Sequence, residues 1–341
     1  MSRLGIALSA ACALALTGSV LPAIASGANV TTQTSASISV DDRKKPKPPK
    51  PTVAIPKEAR AIERWIKAQP RDWQKAKSYF VQTIDPDLVG TQWEKMAKRA
   101  ERPAFQIHAL LGQPVTSPHR VYVGWGKPWL ESAVPADACP WISDFATGFA
   151  CYGSDVIYTR FQGFEAYFPG MKPKDPIPSM VRHNTTGLIG HELVHHVQSS
   201  LYPQKALRQY PEASTWLTEG WAVMIQTLIA MRVEGLSYTL AREYSLRTMD
   251  DANCIGYKLK DLLAPASFTS CFYVKGYLAM EYLMATSGDM KAGWTWISQD
   301  AATSAEAFTM AFDMDFDKFM AKADAYADRE MALRPQRLIP R

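Results

Sequence analysis

The sequence predicts an α+β fold, with a small N-terminal strand-bearing lobe and a mostly helical C-terminal part. Three observations support this prediction. Of the 341 residues, 47% are hydrophobic and 10 are Trp, which is enough to bury a sizeable core. Segments typical of strands occur at 119–126 (HRVYVGWG) and 155–161 (DVIYTRF). From residue 184 onward the hydrophobic pattern is almost entirely helical.

The individual elements follow from local patterns. Helices are expected at 57–69, 91–102, from 184, from 211 to about 234, at 272–286 and within 303–333. Asn184 or Thr185 is the expected cap of the third of these helices, and Pro211 opens the fourth. The proline-rich segment 168–180 predicts a loop, because prolines prevent regular strand pairing.

The first 56 residues predict a signal peptide and a linker. An Ala/Leu-rich run after Arg3 ends at Ala23-Ile24-Ala25, a small-x-small cleavage signature, so the signal peptide is expected at residues 1–25. An uncleaved anchor is the alternative, but polar and small residues interrupt the run before the roughly 18 residues of a membrane span. Residues 26–56 are rich in Pro and Lys and predict an extended, solvated linker.

The charge distribution restricts the classes of partner. Of the formal charge of +5, Arg3 contributes +1 and the linker +3, which leaves +1 for the folded domain expected at 57–341. We therefore expect no nucleic-acid partner, and no stable membrane insertion after signal cleavage. The basic linker could make weak contact with acidic wall polymers, although a plain spacer is the alternative. The expected location is extracytoplasmic, in the cell envelope or outside the cell.

Four cysteines follow the signal segment, and an even number in an exported chain predicts two disulfides. Pairing between nearest neighbours gives Cys139–Cys151 and Cys254–Cys271, and the two other connectivities stay open. A cysteine zinc site is disfavoured because no pair has the short spacing that such sites use.

The segment GLIGHELVHHVQ, residues 187–198, is the strongest indication of chemistry. Such a His-Glu-x-x-His match should occur by chance in roughly one of a few hundred similar sequences. On a helix, His191 and His195 lie about 40° apart and one turn along, so both imidazoles can reach one metal ion. Glu192 can take a proton from a zinc-activated water and pass it to a leaving amine. Two ordinary helix-surface histidines are the alternative.

A catalytic zinc needs a third protein ligand, and Glu219 is the predicted one. It lies 24 residues after His195, in WLTEGWAVMIQ at 216–226, on a helix that a loop separates from the first. Two such helices can pack antiparallel and bring the carboxylate to the metal. The neighbours of Glu219 are apolar and aromatic, and a carboxylate on such a face needs a partner. Glu212 is the alternative ligand.

These residues resemble the gluzincin zinc metallopeptidases, a peptidase-MA-like group in the thermolysin-like superfamily. Three motifs within 184–326 carry the resemblance: His191-Glu192-x-x-His195, Glu219-Gly220-x-Ala222 and Tyr273-Val274-Lys275-Gly276. The resemblance implies a zincin-like catalytic domain, a Zn²⁺ cofactor, and a hydrogen bond from the Tyr273 hydroxyl to the oxyanion of the tetrahedral intermediate. It also implies that a helix, a short turn and another helix over 305–326 close the fold. From the residues alone, the case for Tyr273 is weaker, and a core tyrosine is the favoured alternative.

The chain also departs from that family. It lacks the Gly-x-Met-Glu-Asn segment and the large N-terminal domain of the related aminopeptidases, which favours an endopeptidase. Val223 stands where thermolysin has an Asp, so the partners of the two histidine ligands are not predicted. His196 should point off the ligand face, as a surface residue or a partner of a ligand. The other histidines are expected at the surface or in the core: His108, His119 and His183.

The sequence therefore predicts a secreted zinc metallopeptidase that hydrolyses peptide or protein substrates. His191, His195 and Glu219 would bind Zn²⁺, Glu192 would act as general base and then acid, and Tyr273 would stabilise the oxyanion. The lobe at 57–183 would supply an edge strand for an extended peptide. The alternative is a catalytically inactive exported binding or scaffold protein on a peptidase fold.

Overall fold

The computed structural model describes residues 54–70, 76–143, 146–151, 153–166, 170–201, 214–249, 254–263 and 271–333. The expected signal peptide, most of the linker, Pro211 and Glu212 lie outside these ranges. None of the described helices is long and apolar enough to cross a membrane.

Eleven α-helices and four strands are found in the described residues. The helices are α1 Lys57–Ala68, α2 Gln92–Leu110, α3 Lys127–Ala133, α4 Ser179–Thr186, α5 Leu188–Leu201, α6 Ser214–Glu234, α7 Tyr238–Thr248, α8 Cys271–Ser287, α9 Ala292–Ile297, α10 Ser304–Phe312 and α11 Phe316–Leu333. The strands are β1 Phe80–Ile84, β2 His119–Gly124, β3 Gly148–Ala150 and β4 Val156–Arg160. A strand-bearing N-terminal part and a helical C-terminal part confirm the α+β class.

The four strands form one mixed sheet in the order β1-β2-β4-β3. Strands β1, β2 and β4 are parallel, and β3 runs antiparallel to β4 with Gly148 opposite Thr159. All five residues of β4 are buried, as expected for a strand covered on both faces. The sequence did not predict β1 and β3, which lie at the two edges of this sheet.

A large apolar core joins one face of the sheet to the helices. Fully buried tryptophans contribute much of its volume: Trp93, Trp216, Trp221, Trp294 and Trp296. A second, smaller cluster packs Leu130, Phe149 and Tyr158 beside the Cys139–Cys151 disulfide. The second disulfide joins Cys254 to Cys271, so the nearest-neighbour pairing is confirmed.

Several helix boundaries differ from the prediction. Helix α2 does not end at 102 but continues through Pro103 to Leu110. Apolar residues after the proline, such as Phe105 and Ile107, are buried in the core, and their packing outweighs the cost of a proline inside a helix. Helix α7 was not predicted. The segment 303–333 forms two helices separated at Asp313, which has a left-handed backbone.

The expected cap of the motif helix was wrong. Asn184 and Thr185 lie inside a separate helix, α4, and α5 begins at Leu188, directly after Gly187. At Gly187, between the two helices, a side chain would overlap the main chain of Gln226 on α6. A residue with no Cβ is therefore required where α4 and α5 meet α6.

Helices α5, α6 and α8 pack around the motif residues. Gly187, at the start of α5, contacts Gln226, whereas Gln198, near its end, bonds to the main chain of Thr218, so α5 and α6 are antiparallel as predicted. Helices α6 and α8 cross at Gly220 and Gly276, where a side chain on either glycine would overlap the opposite main chain. The close approach of the two helices therefore requires glycine at both positions.

A buried ion cluster links α7, α8 and α11. The fully buried Arg242 donates to both carboxylate oxygens of Glu281 at 2.9 and 2.8 Å, to Glu243 at 2.7 Å and to Glu330 at 3.0 Å. Charge-assisted bonds of this kind offset the cost of burying the guanidinium. Lys275 is also buried and bonds to Asp328 at 2.9 Å, which ties α8 to α11 a second time.

Candidate metal centre

Three predicted ligands meet between α5 and α6. His191 Nε2 lies 3.2 Å from Glu219 Oε2, and His195 Nε2 lies 3.5 Å from the same oxygen. One ligand atom from each of the three residues lies within 4.8 Å of the others, so the group could hold a metal ion. The α-helical spacing explains the geometry, because residues 191 and 195 are neighbours along one face of α5.

Two glutamines hold the histidine rings in place. Gln226 Oε1 lies 2.9 Å from His191 Nδ1, and Gln198 Oε1 lies 2.8 Å from His195 Nδ1. Each glutamine uses its amide nitrogen elsewhere, because Gln226 donates to Asn184 and Gln198 donates to the Thr218 carbonyl. The glutamine oxygens must therefore accept from Nδ1 of each ring. Nδ1 therefore carries a hydrogen in each ring, and Nε2 is the nitrogen that faces Glu219.

Neither glutamine was predicted from the sequence. Gln198 lies three residues after His195 and Gln226 lies seven after Glu219, so each shares the helix face of a ligand. That spacing is the only signal in the chain that could have indicated them. Glutamine has no characteristic metal-site pattern, and the family comparison suggested an acidic partner instead.

Burial and charge together set the protonation of the ligands. Although burial acts in the opposite direction, the neighbouring imidazoles lower the pKa of Glu219 to about 2. Burial likewise opposes protonation of His195, but the Glu219 carboxylate raises the pKa of His195 to about 9. The site thus favours a positive charge beside Glu219, and a metal cation can supply it in place of a proton.

Glu192 is buried beside these ligands and faces β3. Burial raises its pKa, while the nearby imidazoles and a hydrogen bond from the Ala150 backbone act in the opposite direction. A side chain at Gly148 would place its Cβ 2.5 Å from Glu192 Oε1, so the absence of a side chain there makes room for the carboxylate. A raised pKa suits a group that takes up and then releases a proton.

Strand β3 has main-chain groups that face Glu192 rather than β4. The N–H of Cys151 and the carbonyl of Thr147 pair with β4, so these positions face the sheet. In an antiparallel pair the intervening residues, Gly148 and Ala150, direct their main-chain groups to the opposite edge. That edge runs alongside α5 and the candidate metal centre.

Tyr273 lies near the three ligands, on the first turn of α8. Its ring centroid is 6.4 Å from that of His191, and its side chain is half-buried. The Cys254–Cys271 disulfide anchors the chain two residues before it. Lys275, further along α8, is buried and bonds to Asp328 on α11.

The remaining histidines are not part of this group. His196 points away from the ligands, and its ring centroid lies 5.1 Å from that of His119 at the start of β2. His108 and His183 are buried in the core. The alternative ligand Glu212 lies outside the described residues, whereas Glu219 occupies the position that a third ligand needs.

The donor set fits zinc. Two neutral imidazole nitrogens and one carboxylate oxygen are the protein ligands of many catalytic zinc sites, which keep a fourth position open. Because Gln226 and Gln198 accept from Nδ1, a cation that displaces the proton from Nε2 finds the ring form that a metal requires. No protein-family model, curated protein or solved structure matches this chain.

Proposed function

We propose that the protein is a secreted, zinc-dependent metallopeptidase of the gluzincin type, with a zincin-like catalytic domain. The observation that carries the proposal is the meeting of His191, His195 and Glu219 at one point, with the buried Glu192 beside them. A purely structural zinc site closes its fourth position and has no need of a neighbouring base. Two disulfides support an extracytoplasmic location.

Each residue has a separate task in this proposal. His191, His195 and Glu219 hold the ion, which when bound supplies a Lewis acid that activates water at neutral pH. Glu192 takes the proton of the attacking water and delivers it to the leaving amine. Tyr273 donates a hydrogen bond to the oxyanion of the tetrahedral intermediate.

Strand β3 supports an extended peptide as substrate. The outward N–H and carbonyl of Gly148 and the carbonyl of Ala150 can pair with a peptide backbone, as a sheet edge does in strand addition, whereas the Ala150 N–H donates to Glu192. Such pairing recognises the backbone on both sides of the cleaved bond. It therefore favours an endopeptidase over an enzyme that binds a free amino terminus.

The first experiment measures zinc by elemental analysis, together with casein cleavage, on residues 26–341. The wild type should contain one zinc and cleave casein in a chelator-sensitive manner. Glu192→Gln should keep the zinc and lose activity by at least about 100-fold, the scale of general acid–base catalysis. Glu219→Ala should lose the metal, and Glu131→Gln, at an exposed position on α3, should behave as wild type.

Each contrary result has a distinct meaning. Full activity in Glu192→Gln would exclude the mechanism. Zinc without cleavage of casein or of a peptide library would favour the inactive exported binding or scaffold protein. Absence of zinc from the wild type would make His191 and His195 ordinary helix residues.

Tyr273→Phe separates the oxyanion role from a packing role. The substitution keeps the ring beside His191 and removes only the hydroxyl. We expect kcat to fall by ~10²-fold with little change in KM or zinc content, because one oxyanion donor is lost. Tyr282→Phe, further along α8, is the matched control. Unchanged kcat in Tyr273→Phe would exclude this residue from the reaction.

A further inference from the structure

A second pair of imidazoles lies outside the candidate metal centre. His119 begins β2, and His196 lies on α5 directly after His195 but on another face of the helix. Their ring centroids are 5.1 Å apart, close to the 5.0 Å between His191 and His195. With metal–nitrogen bonds of about 2.0–2.1 Å, two imidazoles on one tetrahedral ion have centroids roughly 5 Å apart. The spacing of the second pair therefore suits a shared ion.

The hydrogen bonds of both rings leave one nitrogen of each available. His119 Nδ1 lies 3.0 Å from the Ser117 carbonyl, which can only accept, so Nδ1 carries the hydrogen and Nε2 the lone pair. The backbone of Val156 makes the corresponding bond to His196. The Nε2 atom of His196 is buried and has no hydrogen-bond partner in the described part of the chain.

An unpaired buried nitrogen is costly, and a bound cation would satisfy it. A backbone carbonyl on one ring nitrogen and a lone pair on the other is also the arrangement that orients histidine ligands in metal sites. The two rings thus have both the spacing and the tautomers that ligands need.

The two rings lie beside an exposed ion pair, although His119 itself is buried. His119 lies at the start of β2, beside the start of β4, where Asp155 precedes the strand. Asp155 accepts two hydrogen bonds from Arg120 Nε, both at 3.0 Å, and the two side chains are 42% and 41% exposed. Among the described residues no third His, Cys, Asp or Glu completes a compact group with this pair. Water would therefore fill the other coordination positions of an ion.

We propose that His119 and His196 form a second metal site, which takes divalent ions that prefer imidazole, such as Cu²⁺, Ni²⁺ or Zn²⁺. It binds more weakly than the three-ligand centre, because it offers one protein ligand fewer and no ligating carboxylate. A bound ion links the start of β2 to α5, the helix that carries the motif residues. The proposal does not depend on peptidase activity.

Cu²⁺ is the appropriate probe, since it binds nitrogen ligands most strongly among these ions. Protein loaded with one equivalent of Zn²⁺ is dialysed against increasing free Cu²⁺, and both metals are counted by elemental analysis. The wild type should bind one Cu²⁺ at this site. His119→Asn or His196→Asn should each lower the affinity for this ion by at least 10-fold, and the double variant should not bind it. The paramagnetic resonance spectrum of this copper should show two nitrogen ligands, and one in each single variant.

His183→Asn is the matched control, because it removes a buried histidine that packs against Tyr244 away from the pair. It should leave copper binding unchanged. Two results would overturn the proposal. The first is that the double variant binds as much copper as the wild type. The second is that the wild type binds copper only where copper displaces zinc. If His119→Asn does not fold by circular dichroism, His196→Asn at its half-buried helix position decides the result.

Discussion

At the scale of single residues, the candidate metal centre depends on groups with very different sequence signals. His191 and His195 are recognisable because helical geometry places residues four apart on one face. Glu219 is recognisable because a carboxylate among apolar residues needs a partner, and the structure gives it two imidazoles. Gln198 and Gln226 have no such signal, because an amide is common on any helix.

We predict that the two glutamines control metal affinity. Gln226→Ala or Gln198→Ala removes the acceptor that fixes a ring orientation, so each should weaken zinc binding by about 10–100-fold. Gln69→Ala, at the end of α1, is the control and should bind as wild type. Competition with a chromophoric chelator measures the affinities. Equal affinities in all four proteins would show that the rings need no such support.

At the scale of elements, the sequence predicted long helices better than short strands. The strands β2 and β4 are apolar runs that are buried in the centre of the sheet, and both were predicted. Strand β1 alternates half-buried with exposed residues and β3 has three residues, so neither has enough local pattern. Pairing with β2 and β4 sets the positions of these two strands, and a local sequence pattern contains no information about such pairing.

The crossing of α6 and α8 gives a prediction at this scale. Gly276→Ala would place a methyl group against the Trp216 carbonyl and Gly220, so the helices must separate. We expect a loss of about 1–3 kcal/mol in the free energy of unfolding, measured in urea. Zinc affinity should fall too, because Glu219 precedes Gly220.

Thr286→Ala, at an exposed position on α8, is the control for this effect and should change stability by less than about 0.5 kcal/mol. If Gly276→Ala is as stable as the wild type, then the close approach of the two helices is not required by the fold.

At the scale of the whole molecule, the candidate site combines distant parts of the chain. Strand β3 and helices α5, α6 and α8 each supply one part of it, and the Cys254–Cys271 disulfide anchors the last of these helices. The motif spacing predicted that His191, His195 and Glu192 share one site. The contact between Glu192 and Gly148 could not be predicted, because no local sequence pattern indicates that β3 packs against α5.

Burial of histidines in the assembled core predicts acid sensitivity of the whole fold. His183, on α4, is buried against Tyr244, and burial lowers its pKa from 6.5 to about 4. Between these values the unfolded chain binds the proton and the folded chain does not, so stability falls as pH drops from 6.5 towards 4. His183→Gln removes this contribution, so the stability difference between wild type and variant should shrink by about 2 kcal/mol from pH 7.5 to pH 5. Urea unfolding at both pH values measures it, and Thr286→Ala should instead parallel the wild type. A constant difference between wild type and His183→Gln would show that His183 is protonated equally in both states.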